Sequence, residues 1–101
     1  MILVTGAAGK TGRAVIAALI AKKQVVRALV HRDEQKTLLE SLGAGEVVAG
    51  DMRDMDTLRR VSEDVRAIYH ICPNVSPDEV PIGKTVMEAA RDEGVEHFVY
   101  H

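Results

Sequence analysis

The sequence predicts an α/β fold built on a doubly wound parallel sheet, and three observations carry that expectation. Five short runs rich in Val, Ile and Leu alternate with four longer segments. Those longer segments place their apolar residues at helical spacing, as parallel strands linked by crossover helices require. A turn with regularly spaced glycines joins the first run directly to the first helical segment. Because crossovers between parallel strands are right-handed, a Rossmann-like sheet of five strands ordered 3-2-1-4-5 follows.

Residues 1–5 begin with the apolar run Met1-Ile2-Leu3-Val4, closed by Thr5-Gly6, and read as a buried strand. In 11–22, Val15, Ile16, Leu19 and Ile20 share one helical face. Residues 25–30 form the second strand. In 33–42 the face is Leu38, Leu39 and Leu42, with Asp33 as the expected cap and Gly43 as the stop. Residues 46–49 are the third strand. In 54–64, Leu58 and Val61 stand three apart behind Asp54, a second expected N-cap. Residues 66–72 are the fourth strand. In 79–93, Ile82, Val86, Ala89 and Ala90 share a face and Gly94 follows as a stop. Residues 97–101 complete the sheet.

Composition supports one globular domain over residues 1–101. Apolar residues are 47% and charged residues 28% of the 101, near the average for soluble domains. Thirteen Lys and Arg against fifteen Asp and Glu leave a formal charge of −2, with no basic excess to draw nucleic acid or a membrane surface. No apolar stretch approaches the ~20 residues of a membrane span. The initial apolar run has no charged segment before it and is too short for a signal peptide. Cys72 is the single cysteine, so an internal disulfide and a cysteine-based zinc site are excluded. A cytoplasmic location is the expectation that fits.

The chemistry is concentrated in Thr5-Gly6-Ala7-Ala8-Gly9-Lys10-Thr11-Gly12. Its glycines have the spacing G-x-x-G-x-x-G, after a strand and into a helix. A tight strand-to-helix turn needs a residue tolerant of positive φ. A pyrophosphate reaches the backbone only where no Cβ intervenes, and a helix start offers unpaired N–H groups and a positive dipole end. The third glycine lets helix and strand pack closely. Glycine also serves plain structural turns; here the strand before and the helix after are what dinucleotide binding requires. Gly6, Ala8, Gly9, Lys10, Thr11 and Gly12 are therefore candidate cofactor contacts.

These residues resemble the extended and atypical short-chain dehydrogenases/reductases. The run Val4 to Arg13 resembles the NmrA-like branch in particular. Gly50-Asp51-Met52-Arg53-Asp54 resembles that family's G-D-x-x-D, and Phe98-Val99-Tyr100-His101 its fifth strand. The resemblance implies an NAD(P)-binding Rossmann domain that lacks the family's later strands and smaller substrate subdomain. It also implies that Asp51 bonds the adenine amino group, that Met52 packs near the ring, and that Ile71-Cys72-Pro73 runs along the nicotinamide side.

The second strand ends in His31-Arg32, with Arg32 twenty residues beyond Gly12. An acidic residue there accepts bonds from a ribose 2′-hydroxyl, whereas a basic one accommodates a 2′-phosphate. NADP(H) is thus expected over NAD(H), with Arg32 and its neighbour His31 at the phosphate; the alternative for Arg32 is a solvated residue before a helix. Lys10 and Arg13 can add charge near the phosphates.

No catalytic residue is assigned. The Tyr-x-x-x-Lys of carbonyl-reducing members is absent: Tyr69 is followed four residues later by Pro73, and Tyr100 has no residue 104. His31, His70, His97 and His101 show no metal-site spacing, so a structural role is expected for His70. Two functions stay open: a cofactor-binding module without chemistry of its own, or the cofactor-binding part of an NAD(P)H-dependent oxidoreductase. A homo-oligomer is also expected, through the edge of the fifth strand or through helix 79–93.

Overall fold

The computed structural model describes residues 1–71 and 79–100. Its five strands are β1 (Ile2–Val4), β2 (Val26–Val30), β3 (Glu46–Ala49), β4 (Ala67–His70) and β5 (His97–Tyr100). They form one parallel sheet in the order β3-β2-β1-β4-β5, as the alternation of elements predicts. Val4 of the central strand lies opposite Ala28 on one side and Tyr69 on the other. All three residues of β1 are buried, as expected of a central parallel strand covered on both faces.

Four helices make the crossovers: α1 (Lys10–Ala21), α2 (Lys36–Ser41), α3 (Met55–Val61) and α4 (Glu79–Asp92). Strand alternation divides the apolar residues between two cores. Ile2, Val4, Val26, Ala28 and Val30 pack with Ile16 and Leu19 of α1 and Leu39 of α2. Leu3, Leu29 and Ile68 point the other way, to Leu58 and Val61 of α3 and Ile82, Val86 and Ala89 of α4. Truncating one fully buried leucine such as Leu58 would cost about 2–5 kcal/mol. Among the described residues, no helix is long and apolar enough to cross a membrane.

Helix ends show where local chemistry decides. Asp54 caps α3 as expected: its carboxylate accepts the Asp56 N–H at 3.1 Å and the Thr57 hydroxyl at 2.9 Å. Gly43 and Gly94 end their helices at φ +101° and +72°, the left-handed values that suit glycine. The expected helix 33–42 differs at its start. Residues Asp33–Gln35 form a single 3₁₀ turn, and α2 begins at Lys36. Asp33 is not the cap; Gln35 reaches back instead, its Oε1 accepting the Arg32 N–H at 3.0 Å. Helix α3 stops at Val61, short of the expected 64. Arg27 of β2 donates through Nη1 to the Val61 and Glu63 carbonyls at 2.7 and 2.8 Å, supplying partners for carbonyls that a helix end leaves open.

Candidate functional site

The carboxyl ends of β1 and β4 are tied together before the chain turns. The Thr5 N–H donates to the Tyr69 carbonyl at 3.0 Å. Thr5 Oγ1 lies 2.8 Å from His70 Nδ1 and accepts the Ile71 N–H at 3.1 Å. One arrangement uses every group: the hydroxyl hydrogen goes to Nδ1 while its oxygen takes the amide hydrogen. Thr5 and His70 are both fully buried. His70 thus has the structural role expected of it, and half-buried Tyr69 packs on the core beneath α1.

The three loop glycines answer to different demands. Gly6 turns the chain at φ +60°, and a Cβ there would collide with the Ile71 carbonyl. A Cβ on Gly12 would collide with the Gly6 carbonyl and stand 2.8 Å from Ala7 Cα. Gly9 differs. Its φ of −74° and ψ of 169° suit any residue, and a Cβ would meet only Gly6 O, at an ordinary 3.6 Å. The protein's own packing requires glycine at 6 and 12 but not at 9. Gly9 is the N-cap of α1 and has no side chain to cap the first N–H groups, and the first turn carries no acidic residue. That end of the helix presents donors and an unopposed positive dipole end to solvent.

A cleft of about 510 Å³ opens above these glycines at the carboxyl end of the sheet, where α/β folds bind ligands. Gly6, Ala8, Gly9, Lys10, Thr11 and Gly12 form its central wall. His31 after β2, Asp51 and Met52 after β3, and Ile71 after β4 complete the set that the structure brings together. Arg32 does not line the cleft and is exposed beside it. Cys72 and Pro73 lie outside the described residues. Gln35, Gly50, Arg53 and Ile82 also line the wall and were not anticipated. For Gln35 a signal existed: a Gln three residues after Arg32, the residue before the turn, is one half of a reciprocal capping pattern.

Asp51 is organised by its neighbour. Its Oδ1 accepts the Arg53 N–H at 2.8 Å, with Arg53 Nε at 3.4 Å. That backbone bond holds the Asp51 carboxyl below the usual carboxylate range; desolvation works against the shift, and the side-chain bond and charge of Arg53, with the charge of His31, add to it. His31, Asp51 and Arg53 all line the cleft.

Comparison with known proteins agrees with this geometry. The model of the NmrA-like family matches residues 1–101. The chain is 35% identical to an NAD(P)H azoreductase of Xenophilus azovorans over 98% of its own length and 34% of that protein. Among solved structures it resembles an NADPH-dependent quinone oxidoreductase of Escherichia coli complexed with NADPH. The TM-score is 0.86 and the identity 28%, over 99% of this chain and 36% of that one. A triphenylmethane reductase of a Citrobacter species, complexed with NADP(H), gives a TM-score of 0.83 at 32% identity, over 98% and 36%. The chain spans about one third of the length of the curated relatives it matches.

Proposed function

The chain belongs to the NmrA-like family, and on that premise we propose that its cleft binds a nicotinamide dinucleotide, NADP(H) in preference to NAD(H). The observation that carries the reading is Gly9. The fold leaves room for a side chain there, yet the position facing the cleft holds none. A ligand whose phosphates approach the backbone accounts for that, since a Cβ at this point would stand in the way. In this reading the pyrophosphate rests on Gly9 to Gly12 and the adenosine lies toward His31, Asp51 and Met52. The nicotinamide then lies toward Ile71, Cys72 and Pro73. Lys10 and Arg53 give the wall its positive charge, and Arg32 acts on a 2′-phosphate from the rim.

A bound nicotinamide supplies hydride transfer. The chain's own residues bind and orient it: the Thr5, His70 and Ile71 hydrogen bonds fix the turn, and Asp51 is held ready by Arg53. We place the domain in an oxidoreductase over the alternative of a cofactor sensor, because the relatives it matches include proteins named as an NAD(P)H azoreductase, an NAD(P)(+) dehydrogenase and an NADPH-dependent oxidoreductase. Substrate residues are then supplied outside the elements described here. A reducing cytoplasm and a homo-oligomer burying the β5 edge or α4 belong to the same proposal; Met87 and Val99 are 48% and 40% exposed on those two elements.

Titration of the chain with NADPH and NADH tests the reading, with Gly9→Val as the diagnostic variant. Wild type is expected to bind NADPH. The variant should lose at least about tenfold in affinity, or about 1.4 kcal/mol, while its melting curve stays close to wild type. Absence of binding to either dinucleotide, or equal affinity in the variant, contradicts it.

A further inference from the structure

A short hydrogen-bonded chain locks the glycine turn from beneath. The Ile71 N–H donates to Thr5 Oγ1 at 3.1 Å, and Thr5 Oγ1 lies 2.8 Å from His70 Nδ1. Both side chains are fully buried. Thr5 Oγ1 has no further hydrogen-bond partner among the described residues, so its own hydrogen has one place to go, the Nδ1 lone pair. That fixes the ring as the neutral tautomer with its hydrogen on Nε2.

The chain reaches the cleft in two steps. Thr5 leads into Gly6, and Gly6 sits so close to Ile71 that a Cβ would collide with the Ile71 carbonyl. The Ile71 peptide is therefore held at both ends, its N–H by the Thr5 hydroxyl and its carbonyl against Gly6. Gly6 and Ile71 line the cleft, and His70 does not. A second proton on His70 conflicts with this closure. The Nδ1 hydrogen and the hydroxyl hydrogen would face each other in one gap. If the hydroxyl instead accepts from both Nδ1 and Ile71, its own hydrogen is a buried donor without an acceptor, a costly state.

On that side of the sheet β5 brings Phe98, its ring centroid 6.1 Å from that of His70. Helices α3 and α4 bring Leu58, Ile82 and Val86 to the same core. Their described charged side chains, Asp56, Arg59 and Arg60 on α3 and Lys84, Glu88, Arg91 and Asp92 on α4, are exposed. Tyr69 packs on the opposite face, and His97, next to Phe98 in β5, points the same way as Tyr69.

We infer that His70 is a positioning residue that couples the cleft to pH: neutral, it holds Thr5, Gly6 and Ile71 in the binding arrangement, and protonated it releases them, so that dinucleotide affinity falls in acid. The inference rests on the proposed dinucleotide reading of the cleft, and His70 acts there through Thr5.

The test has two arms, both on the full chain. Nitrogen NMR of the imidazole rings from about pH 8 to pH 5, the span in which imidazole titrates, reads the ring itself. At the upper end His70 should carry its hydrogen on Nε2. As it takes a second proton, the Gly6 and Ile71 amides should shift with the same midpoint. The second arm is NADPH affinity over the same span, in wild type and in His70→Asn, which offers Thr5 an acceptor oxygen that does not titrate. Wild-type affinity should fall at least about fivefold more than that of the variant, the scale of one neutral hydrogen bond. His31 and the cofactor's 2′-phosphate titrate in both proteins and cancel in the comparison. Should the variant not fold, the amide midpoints of the first arm decide. A hydrogen on Nδ1 at the upper end, a ring that stays neutral throughout, amides that titrate apart from it, or equal pH dependence in the two proteins overturns the inference and leaves dinucleotide binding standing. Failure of the wild type to bind either dinucleotide at the upper end overturns the proposed function, and the coupling with it.

Discussion

Gly6 and Gly9 lie three residues apart in one loop, yet one serves the fold and the other faces the cleft. Gly6→Ala places a methyl group against the Ile71 carbonyl at φ +60°, so it should cost about 1–3 kcal/mol, the range of imposed backbone strain. Thermal or denaturant unfolding reads this directly, and an unchanged midpoint would contradict the geometry. Thr5→Val should lose about 1–3 kcal/mol, because it leaves His70 Nδ1 and the Ile71 N–H without their shared hydroxyl. Asp51 gives a pH prediction. A carboxyl held below its ordinary value near 4 stabilises the folded loop fully above the unfolded value. That contribution fades as pH falls through the lowered folded value. The loop is therefore indifferent to pH from neutrality down to mild acid. An NMR titration of the Asp51 carboxyl carbon should show a midpoint below that of a free aspartate; one at or above it would contradict the Arg53 bond. At this scale the glycine spacing was legible because it repeats a fixed geometric demand. The partner of His70 was not, since Thr5 lies 65 residues away and only the sheet brings the two together.

Among the elements, periodicity guided α3 well, whereas on the expected face of α2 Leu39 is buried and Leu38 is 39% exposed. Leu58 and Val61 of α3 face the core as their spacing predicts, and Asp54 caps that helix because its position allows two acceptor contacts. The turn before α2 was not legible in the same way. Asp33 is a good cap by residue type, but it lies inside the turn Asp33–Gln35 rather than before it and is exposed beside Lys36. Which residue heads such a turn is settled by backbone geometry that composition does not contain. Gln35 lines the cleft wall and Arg32 does not. Two stabilising changes follow from element ends. Ser62, the residue just after α3, buries a hydroxyl with no hydrogen-bond partner among the described residues, and Ser62→Ala should raise stability by about 1 kcal/mol. Lys23 follows α1 at φ +62°, and Lys23→Gly should gain about 1 kcal/mol by relieving the left-handed conformation. Loss of stability in both variants would mean these ends are not as described.

For the molecule as a whole, the sheet order follows from alternating elements and the right-handed crossover, and both were readable from residue types. The walls of the cleft were only partly readable. Residues after β1, β2 and β3 could be placed from the chain order, but Ile82 reaches the same cavity from α4, a convergence visible only in three dimensions. The proposed homo-oligomer belongs to this scale. Strand β5 is an edge of the sheet, with open backbone groups that favour pairing or covering. Sedimentation across a concentration series should show association that weakens when Met87 and Val99 are replaced by polar residues. A monomer at every concentration would rule it out.

The central claim is that the glycine loop cradles a nicotinamide dinucleotide, and amide-resolved NMR during an NADPH titration tests it most directly. Saturable shifts should concentrate on the amides of Gly9 to Arg13, with a second group at His31, Asp51 and Met52. Shifts that cluster elsewhere, or none that saturate, would contradict it.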